Sequence, residues 1–215
     1  MLHTEKTKVK RVPKRGIYDR KTIYQILDKE FICHVGFVHE GYPVVIPTLY
    51  GRNHDHIYLH GSMASRMMKN LAEGLDICLT VTRVNGLVLA RSAFHHSANY
   101  ESVVLFGKAI LVDKEDEKKE GLRKVSERII PGRWEECRQP NAKELKGTML
   151  LKIAIDEASA KVRTGGPVDE KEDYALDIWA GVVPIEKIYH YAEVDPLLEK
   201  KMALPDSVKQ LTGRG

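Results

Sequence analysis

Residues 54–71, HDHIYLHGSMASRMMKNL, join a strand, a tight turn and the start of a helix. Apolar Ile57 and Leu59 alternate with polar neighbours, which is the two-residue period of a half-buried strand. Gly61 is predicted to end that strand. Ser62 is a good N-cap, and apolar side chains recur after it at helical spacing. This stretch therefore predicts a strand, a turn and a helix in immediate succession.

The start of this helix is suited to an anion. A first helical turn leaves several backbone N–H groups unpaired and carries roughly half a positive charge. Ser62, Ser65 and Arg66 add two hydroxyls and a guanidinium that can grip a phosphate through two parallel hydrogen bonds. A phosphate site is one interpretation of the pattern. The other is an ordinary capped surface helix with an exposed arginine.

Composition limits the class of protein. The chain has 215 residues, enough for one domain whose core needs no disulfides. Its formal net charge of +4 comes from 34 basic and 30 acidic residues, too small an excess to indicate a nucleic-acid partner. Its three cysteines form no C-x-x-C pair, which fits a reducing cytoplasm. No apolar run is long enough for a membrane span or a signal peptide, so we expect a cytoplasmic protein with no membrane partner.

Short strand candidates follow one another through the first half of the chain. They are Phe31–Val38, Tyr42–Tyr50, Asp55–His60, Asp76–Val84, Gly86–Phe94 and Tyr100–Val112. Asn85-Gly86 is the strongest two-residue hairpin signal and predicts a long hairpin between the fourth and fifth candidates. Because Pro43 and Pro47 cannot donate to a ladder, the second strand is predicted to be an edge or to break at Pro47.

Helices are few and lie between these strands or after them. Asp19 is predicted to cap a short helix with Ile23, Ile26 and Leu27 on one apolar face. Residues 114–130 are predicted to form a solvated helix whose buried stripe is Leu122, Val125 and Ile129, and Asn141 with Glu144 to start another helix. Later strands are predicted at Thr148–Ile155 and Trp179–Tyr191, with a loop at 161–173 between them. Many strands without alternating strand-helix units predict a mainly β, antiparallel barrel with peripheral helices. The domain would span 17–191, between a solvated basic arm at 1–16 and a tail at 192–215.

Several motifs, in this order, resemble one protein family. They are R-V-P-K-R-G-I-Y-D (11–19), H-V-G-F-V (34–38), V-I-P-T-L-Y (45–50), Y-L-H-G-S-x-x-S-R (58–66), Y-E-S-V-V-L-F-G (100–107) and W-A-G-V-V-P (179–184). The chain resembles the FMN-binding split-barrel proteins related to pyridoxamine 5'-phosphate oxidase. Within them it is most similar to the branch of Nim-type nitroimidazole-resistance flavoproteins.

The resemblance implies a six-stranded split β-barrel that works as a homodimer with FMN at the subunit interface. The FMN phosphate would lie on Ser65 and Arg66. Other cofactor-binding residues would be Pro47, Thr48, Leu49 and Tyr50 along the ring, His60, Gly61 and Ser62 beside the phosphate, Asn99, Tyr100 and Ser102 from the partner subunit, and Trp179 near the ring.

The implied function is an oxidoreductase that passes electrons from a nicotinamide donor to a small-molecule acceptor, as nitroreductases or pyridoxamine phosphate oxidase do. Alternatives are a flavin-binding or sensing module without turnover, and a relative that uses haem or deazaflavin. The oxidase has an R-x-H pair on its C-terminal strand, which is absent from W-A-G-V-V-P-I-E-K-I-Y (179–189). No catalytic acid or base is assigned. His54, His56 and His60 lack a cysteine or carboxylate cluster to complete a metal set, so no metal site is expected.

Overall fold

The computed structural model describes residues 2–198 and 202–213. Their strands are β1 (Gly16–Ile17), β2 (Ile32–His39), β3 (Tyr42–Asn53), β4 (His56–Ser62), β5 (Asp76–Leu89), β6 (Ser97–Leu111), β7 (Thr148–Ala154), β8 (Glu157–Arg163) and β9 (Gly181–Pro184). Their α-helices are α1 (Arg20–Leu27), α2 (Arg66–Ala72), α3 (Glu115–Ile129), α4 (Ala142–Gly147) and α5 (Asp206–Leu211). Short 3-10 helices cover Pro13–Arg15, Ala93–His95 and Glu172–Ala175.

The chain divides into two compact units. Unit 1 comprises Met1–Thr48, Asp76–Gly107 and Ile155–Glu186. Unit 2 comprises Leu49–Leu75, Lys108–Ala154 and Lys187–Gly215. Strands β3 and β6 are continuous and contribute residues to both units.

Hydrogen bonds link the strands in the order β1-β8-β6-β7-β4-β3-β2-β5-β9, and β6 also pairs with β5. Six strands, β6-β7-β4-β3-β2-β5, thus pair in succession before the pairing returns to β6. The registers of β4 with β7 and of β2 with β5 are antiparallel. The predicted fold class, mainly β and antiparallel with peripheral helices, is confirmed.

The core of unit 1 is formed by alternate residues of its strands and by one face of α1. Asp19 caps α1 as predicted, because its carboxylate accepts a hydrogen bond of 2.8 Å from the Thr22 N–H. Ile23, Ile26 and Leu27 of this helix are fully buried, as their helical spacing indicated. The buried side chains of β5 alternate along the strand in the same way, at Ile77, Leu79 and Val81.

The core of unit 2 is formed where α3 packs against β4 and β7. Val125 of α3 lies in one buried cluster with Tyr58, Val112 and Leu150, and Leu49, Leu122 and Ile129 pack around it. This confirms the apolar stripe predicted for the helix. The capping box predicted at Asn141 and Glu144 is also present, at the start of α4.

Two glycines let α3 approach the sheet of unit 2. A Cβ atom on Gly51 of β3 would lie 2.5 Å from backbone atoms of Lys124 and Val125. A Cβ atom on Gly121 of α3 would lie 2.5 Å from Cδ2 of Leu150. Because the contact at Gly51 is with backbone, no side-chain rotation can relieve it.

The predicted hairpin at Asn85-Gly86 is wrong. Both residues lie inside β5, and neither has the positive φ that a two-residue hairpin turn of this sequence requires. Gly86 instead pairs with Pro184 of β9, and a Cβ atom there would lie 3.0 Å from the Val183 carbonyl oxygen. The glycine therefore serves a close strand approach, not a turn.

Other strand boundaries also differ from the predictions. Strand β3 continues through Pro47 and ends at Asn53, and its register with β4 begins only at Tyr50, beyond both prolines. Strand β8 was not predicted, because its inward residues are small, chiefly Ala158 and Ala160, and give a weak apolar signal. Of the strand predicted over 179–191, only Gly181–Pro184 forms, as β9.

The first residues do not form the solvated arm expected from their charge. Leu2 and Thr7 are buried, and the Leu2 carbonyl accepts a hydrogen bond of 3.2 Å from the Ala158 N–H. Leu2 and Thr7 thus anchor the segment, while Lys6, Lys8 and Lys10 stay exposed. Met1 of the predicted arm, and residues 199–201 and 214–215 of the predicted tail, lie outside the described residues.

Within the described part of the chain, the helices are too short or too polar to cross a membrane.

We expect Gly51→Ala to lower the free energy of unfolding by about 2 kcal/mol or more, because overpacking against backbone forces the strand and helix apart. Chemical denaturation followed by circular dichroism measures the change. Gly147→Ala is the matched control in the same unit, since a Cβ atom there meets nothing within 4 Å. Equal stability of the two variants would contradict the packing described.

Candidate functional site

The junction of β4 and α2 lies in unit 2 and is built on the pairing of β4 with β7. His60 lies opposite Leu150, Gly61 opposite Met149 and Ser62 opposite Thr148. The prediction that Gly61 ends the strand is therefore wrong, because β4 continues to Ser62. A Cβ atom on Gly61 would lie 2.7 Å from Cγ of Met68, so the glycine admits the buried Met68 of α2 against the strand.

Helix α2 begins three residues later than predicted. Its N-cap is Ser65, whose hydroxyl accepts a hydrogen bond of 3.4 Å from the Met68 N–H. Ser62 closes the preceding turn, because its carbonyl accepts from the Ser65 N–H at 2.9 Å and its hydroxyl from the Ala64 N–H at 3.1 Å. The cap moved because pairing with β7 keeps Ser62 in the strand. The helix ends at Ala72, shortly before Gly74, which has a φ of +85°.

Two exposed cationic side chains lie in the first turns of α2. Arg66 is the first residue of the helix and Lys69 lies one turn further, and both side chains are exposed. Within the described residues, neither forms a hydrogen bond or an ion pair. Both cations are therefore available to an anion at the first turn.

A cavity of about 350 Å³ lies in unit 2 between α3, the sheet and the segment before α4, and we call it the α3 cavity. Its apolar lining is Leu49, Leu122, Val125, Ile129, Trp134 and Pro140. Its polar lining is His60, Ser126, Glu144 and Thr148. Ser65 and Arg66 do not line it. An apolar cleft with few polar groups is the usual form of a site for a small organic ligand.

His60 is the basic side chain of the α3 cavity. Its Nδ1 atom is buried and has no hydrogen-bond partner within the described residues. Burial lowers the pKa of His60, so the imidazole is neutral at pH 7. A buried imidazole nitrogen without a partner costs free energy unless a ligand satisfies it.

Glu144 is the acidic side chain of the α3 cavity, and its negative charge is balanced by Arg138. Arg138 donates to both carboxylate oxygens of Glu144, at 3.0 and 2.7 Å. Together with the Asn141 N–H, the Arg138 guanidinium lowers the pKa of Glu144 to about 2. The same carboxylate closes the capping box of α4, so it shapes the cavity wall and carries no proton at neutral pH.

The four ring-contacting residues predicted on β3 divide between the units. Pro47 and Thr48 belong to unit 1, where the Thr48 carbonyl accepts from the Cys33 thiol at 3.7 Å. Leu49 and Tyr50 belong to unit 2. Leu49 lines the α3 cavity, whereas Tyr50 is fully buried.

The predicted residues of β6 already make hydrogen bonds within unit 1. The Asn99 side chain accepts from Arg163 and donates to the Gly165 carbonyl at 3.1 Å. Tyr100 lies opposite Arg163 in the ladder with β8, and the Ser102 hydroxyl donates to the Lys161 carbonyl at 3.3 Å. These contacts hold the Asn99 and Ser102 side chains in place.

Trp179 lies in the extended segment before β9 and is 68% exposed. Its ring lies against Gly181, where a Cβ atom would be 2.9 Å from Cζ2 of the indole. The ring is thus held at the surface of unit 1, outside the core of the chain.

A second cavity, of about 290 Å³, lies in unit 1 and is strongly basic. We call it the Arg163 cavity, lined by Lys14, Arg15, Val162, Arg163, Thr164, Gly166 and Val168. The Arg163 side chain donates to the Gly165 and Gly166 carbonyls at 3.2 and 3.1 Å. Burial, followed by the nearby Arg15 charge, lowers the pKa of Arg163.

Sequence reasoning did not find the Arg163 cavity. Lys14 and Arg15 were attributed to a solvated arm, and β8 was not predicted, so Arg163 had no assigned environment. The available signals were K-R at 14–15 and R-T-G-G at 163–166. Because these two motifs are far apart along the chain, the sequence did not indicate that they line one cavity.

Comparisons with known proteins bear on the identity of the chain. The profile of the family described as pyridoxamine 5'-phosphate oxidase matches residues 19–162. The structure of the flavocytochrome Anf3 from Azotobacter vinelandii is 42% identical, with 97% of both chains covered and a TM-score of 0.91. An FAD and haem binding protein from Mycobacterium smegmatis is 36% identical over 92% of this chain and 97% of its own, with a TM-score of 0.88.

A structure described as a 5-nitroimidazole antibiotic resistance protein, from Bacteroides thetaiotaomicron, is more distant. It is 22% identical over 68% of this chain and 86% of its own, with a TM-score of 0.56, and supports the fold alone. No curated protein sequence matches the chain. The family match spans the motifs at 34–38, 45–50 and 58–66. The chain belongs to the pyridoxamine 5'-phosphate oxidase family.

Proposed function

We propose that the protein binds a flavin nucleotide and works as an oxidoreductase that passes electrons from a nicotinamide donor to a small acceptor. The observation that carries the proposal is 42% identity, over 97% of both chains, to a protein named as a flavocytochrome. A flavin accepts a hydride, which is two electrons and one proton, and delivers the electrons to an acceptor. The free cysteines fit the reducing cytoplasm in which we propose that the protein acts.

Either of two flavins is compatible with the proposed phosphate contact. FMN is the flavin that the sequence predicts, and FAD is in the name of the 36%-identical protein. Both carry a phosphate at the end of the ribityl chain. We propose that Ser65 and Arg66 hold this phosphate beside Gly61 and Ser62, because Arg66 is exposed and unpaired at the first turn of α2.

We further propose a homodimer with the flavin at the subunit interface. From Tyr174 to Leu198 the chain exposes many large apolar side chains, among them Trp179 at 68%, Ile188 at 67% and Leu197 at 84%. Extensive apolar exposure is typical of an interface between chains. In this arrangement Pro47, Thr48, Leu49 and Tyr50 follow the flavin ring, Asn99, Tyr100 and Ser102 approach from the other subunit, and Trp179 packs near the ring.

We propose haem as a second cofactor, with the α3 cavity as part of its site. The two similar structures are named for a flavocytochrome and for haem binding. The cavity offers apolar walls for a macrocycle and one neutral imidazole, that of His60. Haem iron is commonly held by a histidine nitrogen in an apolar pocket, where it carries single electrons. We therefore propose that His60, which the sequence predicted beside the flavin phosphate, belongs instead to a haem site in unit 2, because it lines the α3 cavity and Ser65 and Arg66 do not.

The alternatives separate experimentally. A flavin-binding module without turnover would keep its flavin oxidised in the presence of NADPH, whereas the enzyme would bleach and then reoxidise when an acceptor is added. Pyridoxamine phosphate is not the proposed substrate, because β9 and the residues after it lack the R-x-H pair of the oxidase.

We expect Arg66→Ala to weaken flavin binding by about ten- to a hundredfold, the scale of one lost charge-assisted contact. Arg66→Lys should fall between this variant and the native protein, because lysine keeps the charge but not the two parallel hydrogen bonds. Flavin retained after dilution and ultrafiltration, measured by absorbance, gives the comparison. Lys21→Ala, at an exposed position of α1, is the matched control. Unchanged retention in Arg66→Ala would refute the phosphate placement.

We expect His60→Ala to lose at least about tenfold in haem content while its flavin content is preserved, because only the iron ligand is removed. The Soret band and pyridine haemochrome of protein purified from haem-supplemented cells measure haem directly. His56→Ala is the control on the same strand, since His56 contacts Asp55 at 2.7 Å and does not line the α3 cavity. A native Soret band in His60→Ala would exclude His60 as the ligand.

A further inference from the structure

The Arg163 cavity contains a buried cation that the proposed function does not use. Arg163 ends β8 and is only 6% exposed. Its guanidinium donates to three neutral oxygens, those of the Asn99 side chain and of the Gly165 and Gly166 backbone. Its Nε atom is buried and has no partner within the described residues.

No negative charge balances this group inside the described part of unit 1. Arg163 forms no ion pair there, and the carboxylate that follows in the same loop, Asp169, is bound instead to Arg91 at 3.2 Å. Lys14 and Arg15 line the same cavity, and their side chains likewise have no hydrogen-bond or ion-pair partner there. Three positive charges therefore meet at one cavity without an anion from the described chain.

Three positive charges without an anion destabilise the folded chain. Burying an unpaired charge costs free energy, and the repulsion between Arg15 and Arg163 adds to that cost. A role limited to clamping the loop at 164–168 would account for the carbonyl contacts of Arg163. It would not account for the unsatisfied Nε atom or for the two further cations.

We propose that the Arg163 cavity binds the phosphate group of a phosphorylated ligand. Three cations match a dianion better than a single carboxylate, and a guanidinium presents paired donors that suit phosphate oxygens. The buried Arg163 would form the fixed floor of the site, held by Asn99, and Arg15 with Lys14 would complete its rim. The volume of about 290 Å³ exceeds what a few water molecules fill and admits a phosphate or a pyrophosphate.

The phosphate could come from two sources. One is the second phosphate of a bound FAD, because the phosphate at the end of the ribityl chain is already placed on Ser65 and Arg66, and in that case the inference rests on the proposed function. The other is a diffusible phosphorylated substrate such as a pyridine nucleotide. Both sources offer the same chemistry to the cavity, so the experiment must separate them.

The test uses the full-length protein as purified, and the double variant Lys14→Gln/Arg15→Gln. These positions lie outside the buried core, so folding is preserved, whereas Arg163 itself is buried. Inorganic pyrophosphate is titrated while thermal unfolding and calorimetric binding are followed, with sodium chloride at matched ionic strength as the screening control. Arg11→Gln is the matched variant, because Arg11 is exposed in the same segment and does not line the cavity.

We expect the double variant to bind the phosphate group at least about tenfold more weakly than the native protein, as loss of charge-assisted contacts requires. Without any phosphate ligand, the same variant should unfold at a higher temperature, because removal of Arg15 relieves its repulsion of Arg163. A purely structural role of these side chains would not give opposite signs in the two measurements. Arg11→Gln should change neither.

Flavin retention identifies the source. If the second phosphate of FAD occupies the cavity, pyrophosphate does not bind to the purified protein and the double variant loses FAD on dilution. If the ligand diffuses, the variant keeps its flavin but binds pyrophosphate and NADPH more weakly. The inference is overturned if the double variant matches the native protein in pyrophosphate affinity, NADPH affinity and flavin retention. Purified protein that binds pyrophosphate but holds no flavin would uphold this site and refute the proposed function.

Discussion

The antiparallel ladder between β4 and β7 is the constraint on which the candidate site in unit 2 depends. Its register runs from His56 opposite Ala154 to Ser62 opposite Thr148. Because side chains alternate along a strand, this register sends His60 toward α3 and buries Leu59 on the other face. A slip of one residue would exchange the two and remove the imidazole from the α3 cavity. The same ladder holds Ser62 in the strand and so sets where α2 begins.

The α3 cavity and the Arg163 cavity share a physical feature. Each contains a buried nitrogen without a partner within the described residues, His60 Nδ1 in one and Arg163 Nε in the other. The surroundings differ in the ligand that they suit, since the α3 cavity is mainly apolar and the Arg163 cavity is basic. Unpaired buried groups raise the free energy of the folded chain, and a bound cofactor or anion would lower it again.

Local sequence rules predicted the elements whose cause is local. The Asp19 cap, the capping box of α4 and the apolar stripe of α3 were each predicted correctly, because each depends on residues within one or two turns. The hairpin predicted at Asn85-Gly86 was wrong because the role of its glycine is set by a distant part of the chain. Its glycine meets a requirement set by β9, almost a hundred residues later in the chain.

The parts of the candidate site that depend on local sequence were also predicted, and the parts that depend on tertiary contacts were not. Arg66 at the start of α2 followed from the helix signal, although the cap proved to be Ser65 and not Ser62. The motifs gave the family, which the comparisons confirm. They could not give the basic cavity, because the grouping of Arg15 with Arg163 exists only after β1 has paired with β8. Charge patterns that are scattered in the sequence become a site only through tertiary contacts.

The most direct test of the account is to identify the small molecules that the purified protein releases on denaturation, by liquid chromatography and mass spectrometry. The account predicts a flavin nucleotide at close to one equivalent per chain, accompanied by haem, and the mass distinguishes FMN from FAD. Release of no flavin from protein expressed in flavin-replete cells would contradict it.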